Sequence, residues 1–286
     1  MSPGYELDLP VSDYDLDATM TSGQVFGWEQ RDDCWVGVVG GNWVSLQSYS
    51  SGIRVTTAAP QSDWSWLKAF LQSDVNLAEL LATFPTDDPN LQAAVKTCHG
   101  LRLLRQLPWE CLASFILSST KQIVQIRQIV RTLCARHGSP VAVPAGQHPA
   151  FAFPTPEQIA ALSETELRHC KMGFRATYLL SAARRMVAGE LDLEIIRQLP
   201  LESAREELMK LSGVGEKIAD CVLLFAYGFP TAFPIDVWVA RALSQFYFKG
   251  RRIHPEKLRR FAARHFGPNA GYAQQYLFHH VRTQRA

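Results

Sequence analysis

Hydrophobic and polar positions change rhythm along this chain. Between residues 24 and 59 the segments QVFGWEQ, CWVGVVGG, NWVSLQSYS and GIRVTTAA are short and rich in Val, Trp and Thr. Turn formers separate them at Asp32-Asp33, Gly40-Gly41-Asn42 and Ser50-Ser51-Gly52. This spacing predicts an antiparallel meander. DWSWLKAFLQ and VNLAELLATF follow as amphipathic helices, the first with Asp63 at its N-cap. From about residue 90 the period becomes three to four residues, and LQAAVKTCHGLRLLRQ, PWECLASFILSS and KQIVQIRQIVRTLCARHG read as helices. The last carries an Ile123, Ile126, Val130, Leu133 stripe and stops at Gly138, while Pro108 sits where a first-turn proline belongs. SPVAVPAGQHPAFAFPTP holds five prolines and reads as a surface excursion, because helices of the same kind resume at Glu157. The pattern predicts an α+β chain: a β-rich N-terminal domain over residues 1–97 and a larger, mostly helical region over 98–286.

Composition narrows the classes. With 47% hydrophobic and 20% charged residues in 286, the chain can bury a sizeable core and is not disordered. No apolar run approaches the roughly 20 residues that span a bilayer. The acidic N-terminus lacks the basic-then-apolar order of a secretion signal and the arginine richness of a transit peptide. Cys34, Cys98, Cys111, Cys134, Cys170 and Cys221 are scattered, with no CxxC, which argues against a zinc ribbon, an iron–sulfur cluster or a disulfide framework and for a reducing, intracellular setting. The formal charge of +2 conceals a split. Residues 1–100 carry 13 acidic and 4 basic side chains, whereas residues 241–286 carry 10 basic and one acidic. A polyanion is therefore expected at the C-terminal end.

The sharpest motif lies in AREELMKLSGVGEKIADCVLLFAYG, residues 204–228. A helix ends near Leu211, the chain turns through Ser212-Gly213-Val214-Gly215, and a second helix starts at Glu216. Gly213 and Gly215 permit a tight hairpin with outward N–H groups, Val214 plugs between the helices, and the helix N-terminus adds an anion site suited to a DNA phosphate. Lys217 follows on the first helical turn. The positive helix end beside it favours the neutral amine, the form a nucleophile needs. Asp236 stands nineteen residues on in AFPIDVWVARAL, at an N-cap position after Pro234. Taken singly, the hairpin also fits an ordinary interhelical turn and Asp236 a simple cap.

Together LSGVGEK and FPID resemble the HhH-GPD superfamily of DNA glycosylases. The absence of any cysteine after Cys221 sets the chain apart from endonuclease III-type members with a C-terminal four-cysteine cluster. The similarity to 8-oxoguanine DNA glycosylases runs nearly end to end: SGQVFGW (22–28), GLRLLRQLPWECLASFILSS (100–119), GFRATYLLSAAR (173–184), GVGEKIADC (213–221), PIDV (234–237) and AGYAQQYLF (270–278). The resemblance implies a TBP-like antiparallel sheet domain followed by a helical region in two lobes. It implies that Lys217 attacks the sugar C1′ and forms a Schiff base before β-elimination, with Asp236 stabilising the developing positive charge. Cys221 would pair with Lys217 to sense the oxidised base, Phe278 would stack on it, Gln274 would read its Watson–Crick edge, and the Gly23 carbonyl would accept the N7–H that guanine lacks. Without the resemblance, Cys221 and Phe278 read as core packing. Phe174 would enter the duplex and Arg175 would read the base left behind. The implied partner is double-stranded DNA containing 8-oxoguanine, bound by a monomer with no membrane association. No metal or organic cofactor is implied, and the hairpin admits a monovalent cation.

Four positions depart from the family pattern. Thr120 stands for an asparagine and Gln125 for an arginine, both of which read the orphaned cytosine. Trp238 stands for a histidine at the DNA backbone, and Ser212 for a hairpin proline. Thr120 and Gln125 predict relaxed selectivity for the opposite base. The basic residues from Lys249 to Arg264 would add salt-dependent, sequence-independent affinity. A glycosylase for other damaged purines and a non-catalytic DNA-binding hairpin are the alternatives; Lys217 with Asp236 argues against the second.

Overall fold

The computed structural model describes residues 4–284. β1 (Tyr5–Pro10), β2 (Glu29–Arg31), β3 (Cys34–Val39), β4 (Asn42–Tyr49) and β5 (Gly52–Thr57) form an antiparallel sheet in the order β1-β5-β4-β3-β2. Gly40 and Gly41 both take positive φ (56° and 83°), which closes the two-residue turn between Val39 and Asn42. One sheet face buries Trp35, Val44, Leu46, Ile53 and Val55 against α1 (Leu16–Thr21) and α2 (Ser65–Leu71). α3 (Leu77–Leu81) and α4 (Pro89–Thr97) lead out of this part.

Three local expectations change. QVFGWEQ pairs only from Glu29; Gln24, Val25, Phe26 and Trp28 are buried instead, and the missing strand is the N-terminal β1 beside β5. Asp63 lies one residue before the cap position of α2, held by Trp64, and accepts the Ser65 N–H at 2.9 Å. The helix predicted through residue 106 ends at Thr97, with Cys98 as its cap. Beyond it Gly100 takes φ +85°, and Arg102, only 2% exposed, donates to the carbonyls of Ser12 (2.9 Å), Asp13 (3.2 Å) and Val75 (2.6 Å). These long-range bonds override the local helical pattern and leave residues 99–107 as a turn followed by irregular chain.

The helical region centres on α5 (Pro108–Ser118), buried over most of its length and opened by Pro108 as expected. α6 (Ile123–His137) ends at Gly138, and the excursion beyond it folds back as the short ribbon β6 (Pro140–Val141) and β7 (Ala150–Phe151). α7 (Pro156–Ala160), α8 (Glu164–Arg168), α9 (Arg175–Val187), α10 (Leu193–Ile196), α11 (Leu201–Met209), α12 (Glu216–Val222), α13 (Val237–Tyr247) and α14 (Pro255–His265) follow. α15 (Ala270–Thr283) ties the ends together: Tyr276 Oη donates to Leu101 O (3.1 Å) and Gln275 Nε2 to Ser22 O (2.9 Å). Among the described residues no helix is long and apolar enough to cross a membrane.

Candidate active site

The start of α12 fixes Lys217. Gly213 turns the chain at φ +82°, and a Cβ there would meet the Tyr178 ring at 2.4 Å. Gly215 differs: its φ of −98° suits any residue, and among the described residues nothing beyond its chain neighbours lies within 4 Å of a Cβ built on it. Val214 between them is buried in the helical core. α12 begins at Glu216, so Lys217 lies on its first turn and Cys221 one turn later on the same face. Two ion pairs hold the rotation of α12: Asp220 accepts from Arg205 of α11 at 2.6 Å, and Glu216 pairs with Arg259 of α14. The helix continues into a π-helical turn, Leu223–Tyr227, a deviation that recurs at functional sites.

Lys217 Nζ donates to Ser118 Oγ (3.4 Å) and lies 5.0 Å from the centre of the Phe115 ring. Asp236 caps α13, with Oδ1 accepting the Val239 N–H at 2.8 Å. Burial holds its carboxyl above the usual carboxylate range, opposed by the Val239 N–H and the Lys217 ammonium. Gly23 takes φ +80°, and a Cβ on it would lie 2.8 Å from Ile123 Cδ1 and 3.4 Å from Phe278 Cε1. Gln274 is 4% exposed, and its Oε1 has no hydrogen-bond partner among the described residues. Burial pushes the Cys221 thiol up to about 12, against the pull of Lys217, so it stays protonated. Gly23, Lys217, Cys221, Asp236, Gln274 and Phe278 line one cavity of about 40 Å³. That volume holds a few waters and no purine. Among the described residues no group of three or more His, Cys, Asp or Glu side chains is placed to hold a metal.

Residues 6–112 match the sequence model described as 8-oxoguanine DNA glycosylase, N-terminal domain. Residues 113–268 match that of the HhH-GPD superfamily base excision DNA repair proteins. The chain belongs to the HhH-GPD superfamily. It is 29% identical to a probable N-glycosylase/DNA lyase of Methanothermobacter thermautotrophicus over 96% of this chain and 95% of that protein. It is also 29% identical to the N-glycosylase/DNA lyase OGG1 of Arabidopsis thaliana, covering 96% and 79%. The 8-oxoguanine glycosylase/lyase of Clostridium acetobutylicum, solved with duplex DNA containing cytosine opposite 8-oxoG, superposes with a TM-score of 0.90 at 28% identity, over 100% of this chain and 99% of that one.

A second cluster in this HhH-GPD chain surrounds Arg175, which is 3% exposed. Its Nε donates to Ser119 O (2.8 Å), its Nη2 donates to Thr120 Oγ1 (2.5 Å), and the guanidinium lies 4.3 Å from the Phe174 ring centre. Phe174 itself is 50% exposed. Thr120 takes φ +55°, a left-handed conformation that a β-branched residue adopts only under strain and asparagine tolerates well. Gln125 is not part of this cluster: its Oε1 accepts the Gln122 N–H (3.2 Å) in a capping box at the start of α6. Trp238 lies beside Asp236 on α13 and packs under the Arg241 guanidinium at 5.6 Å.

Sequence reasoning missed the residues that position Gly23. Gln24 Nε2 donates to Arg102 O (2.8 Å) and Ser22 Oγ (3.0 Å), while its Oε1 accepts the Leu104 N–H (2.7 Å). Arg282 Nη2 donates to Thr21 O (3.0 Å), and its guanidinium lies 5.5 Å from the Phe278 ring centre. A glutamine next to a glycine carries no signal that its partners lie some 80 residues away; burial alone reveals it. Phe115 and Phe225, stacked at 5.6 Å, complete the apolar wall and read in sequence as ordinary core.

Proposed function

We propose that this protein is a bifunctional 8-oxoguanine DNA glycosylase/AP lyase that flips the lesion from duplex DNA and excises it in base excision repair. The observation that carries this reading is the convergence of a lysine, a carboxylate and four base-recognising groups on one cavity. Lys217, as the free amine, attacks C1′ while the C1′–N9 bond breaks and the base leaves with a proton. Asp236 stabilises the positive charge that develops on the sugar. Ring opening gives the Schiff base, and loss of the C2′ proton expels the 3′ phosphate. Gly23 accepts the N7–H of 8-oxoguanine, Gln274 reads the Watson–Crick edge, and Cys221 and Phe278 sandwich the ring. The cavity must widen for this, and half-buried Phe278 is the wall we assign to move.

DNA is gripped at the hairpin. Gly215 has no steric reason of its own, which supports a phosphate packed directly on the N–H groups of Gly213 and Gly215, the Val214 N–H being donated to Leu211 O at 3.1 Å. The arrangement is compatible with a monovalent cation there. Phe174 enters the stack, Trp238 donates to the backbone, and the protein acts as a monomer. The end of α4 at Thr97 supports a domain boundary at residues 97–98. Arg175 reads the orphaned base with Thr120 and without help from Gln125, so discrimination is relaxed.

Single-turnover excision from duplexes with 8-oxoguanine opposite each of the four bases, and from a 3-methyladenine duplex, tests this reading. Release of 8-oxoguanine is expected opposite all four bases, at rates within about tenfold, since a good bidentate base contact is worth about 1–3 kcal/mol. No release of 8-oxoguanine from any duplex would contradict the function. A strong preference for cytosine would contradict the relaxed reading alone.

A further inference from the structure

The chain from Thr19 to Gln24 is held by its carbonyls, one after another. Gln24 Nε2 reaches back to Thr19 O (3.1 Å), Arg127 of α6 donates to Met20 O (2.9 Å), and Arg282 of α15 donates to Thr21 O (3.0 Å). Gln275 of α15 donates to Ser22 O (2.9 Å), and Gln106, just before α5, donates to Gln24 O (2.7 Å). Within this run, Gly23 O is the carbonyl that accepts no hydrogen bond among the described residues. Gly23 is also the member of the run that lines the Lys217 cavity.

Stability does not account for so much hydrogen bonding. The carbonyls at the end of a helix such as α1 can be satisfied by water. Here the chain desolvates two like charges instead: burial lowers the pKa of both Arg127 and Arg282, and Arg127 lowers that of Arg282 further. What the arrangement yields is a fixed backbone. Gly23, at φ +80° and without a Cβ, would otherwise leave its carbonyl free to swing. A recognition group must be held to within about 0.5 Å, which takes neighbours locked by their own hydrogen bonds.

The two glutamines matter most, because they hold the carbonyls on either side of Gly23 O. Gln275 is 2% exposed and Gln106 8%. Gln275 follows Gln274 on α15, while the Gln106 N–H donates to Phe225 O (2.8 Å) in the π-helical turn that continues α12. The Gly23 carbonyl is thereby set against both the helix that carries Gln274 and the helix that carries Lys217. We propose that Gln275 and Gln106 are positioning residues that determine specificity: by bracketing Gly23 they hold its free carbonyl where a flipped purine carries a proton on N7, and so favour such purines over guanine. The inference rests on the excision reading and adds to it the residues that set its selectivity.

Equilibrium binding of the full chain carrying Lys217→Gln, to duplexes with either 8-oxoguanine or guanine at one position, tests this. The Lys217→Gln protein is expected to prefer the 8-oxoguanine duplex. Adding Gln275→Met keeps the side-chain length and removes the donor. It should weaken 8-oxoguanine binding about three- to tenfold, the scale of one neutral hydrogen bond, and leave guanine binding unchanged. Gln106→Met, on a separate element, should do the same. The guanine duplex reports the fold, since a merely structural defect would weaken both duplexes alike. An unchanged preference in both variants, or equal losses on the two duplexes in both, would overturn the proposal and leave the excision reading standing. No preference for the 8-oxoguanine duplex before either substitution would overturn that reading and the proposal with it.

Discussion

Asp236 places two demands on one carboxylate. It caps α13 through Val239 and shares the cavity with Lys217. Asparagine caps nearly as well as aspartate. Asp236→Asn is therefore expected to melt close to wild type while excision falls about 10²–10⁴-fold; wild-type excision by this variant would reduce Asp236 to a cap. The pH dependence follows from the same burial. The working form is the carboxylate and its pKa is raised, so excision should fail as pH drops through a value above the ordinary aspartate figure of about 3.9. An acid limb at or below that figure in single-turnover rates would contradict the assignment. Both the cap and the acid at Asp236 are legible in the sequence, because Pro234 fixes the approach to the helix. The left-handed backbone of Thr120 and the Gln24 clamp are not, since each depends on neighbours the local sequence does not name.

At the scale of elements, the α11–hairpin–α12 unit is the part that sequence describes best. Gly213, the plug Val214 and the start at Glu216 are local features and appear as expected, whereas Gly215 takes a backbone that any residue could adopt. What holds it is not local. Arg205 and Asp220 are 10% and 2% exposed at the side chain and meet across the two helices. Arg205→Met removes one partner and leaves a buried carboxylate unpaired, an expected loss of about 3–5 kcal/mol in urea unfolding. A loss below about 1 kcal/mol, the level of a surface pair, would show that the bridge does not hold α12 in place. Residues 99–107 illustrate the converse. Their apolar spacing is helical, but Gly100 and the buried Arg102 commit them to tertiary contacts, and pattern reading fails there for that reason.

For the whole molecule, the charge split acquires a location. Lys249, Arg251, Arg252, Lys257, Arg260 and Arg264 are exposed in and just before α14, while Arg259 is drawn inward onto Glu216. If the exposed set meets the DNA backbone, Arg251→Ala with Arg252→Ala should flatten the dependence of log affinity on log salt by about 0.9 for each phosphate left without its arginine, up to about 1.8; an unchanged slope would place the basic loop away from DNA. The overall division into a sheet part and a helical part is legible from the change of period near residue 90. The residues of the cavity are legible through the family resemblance and not through periodicity or spacing, because Gly23, α12, Asp236 and α15 meet only in three dimensions. The central claim is that Lys217 forms the covalent bond to the sugar. Borohydride trapping on an 8-oxoguanine duplex tests it most directly: the wild-type protein is expected to give a cross-linked product and Lys217→Gln none. No adduct from the wild type, or an undiminished one from the variant, would contradict the account.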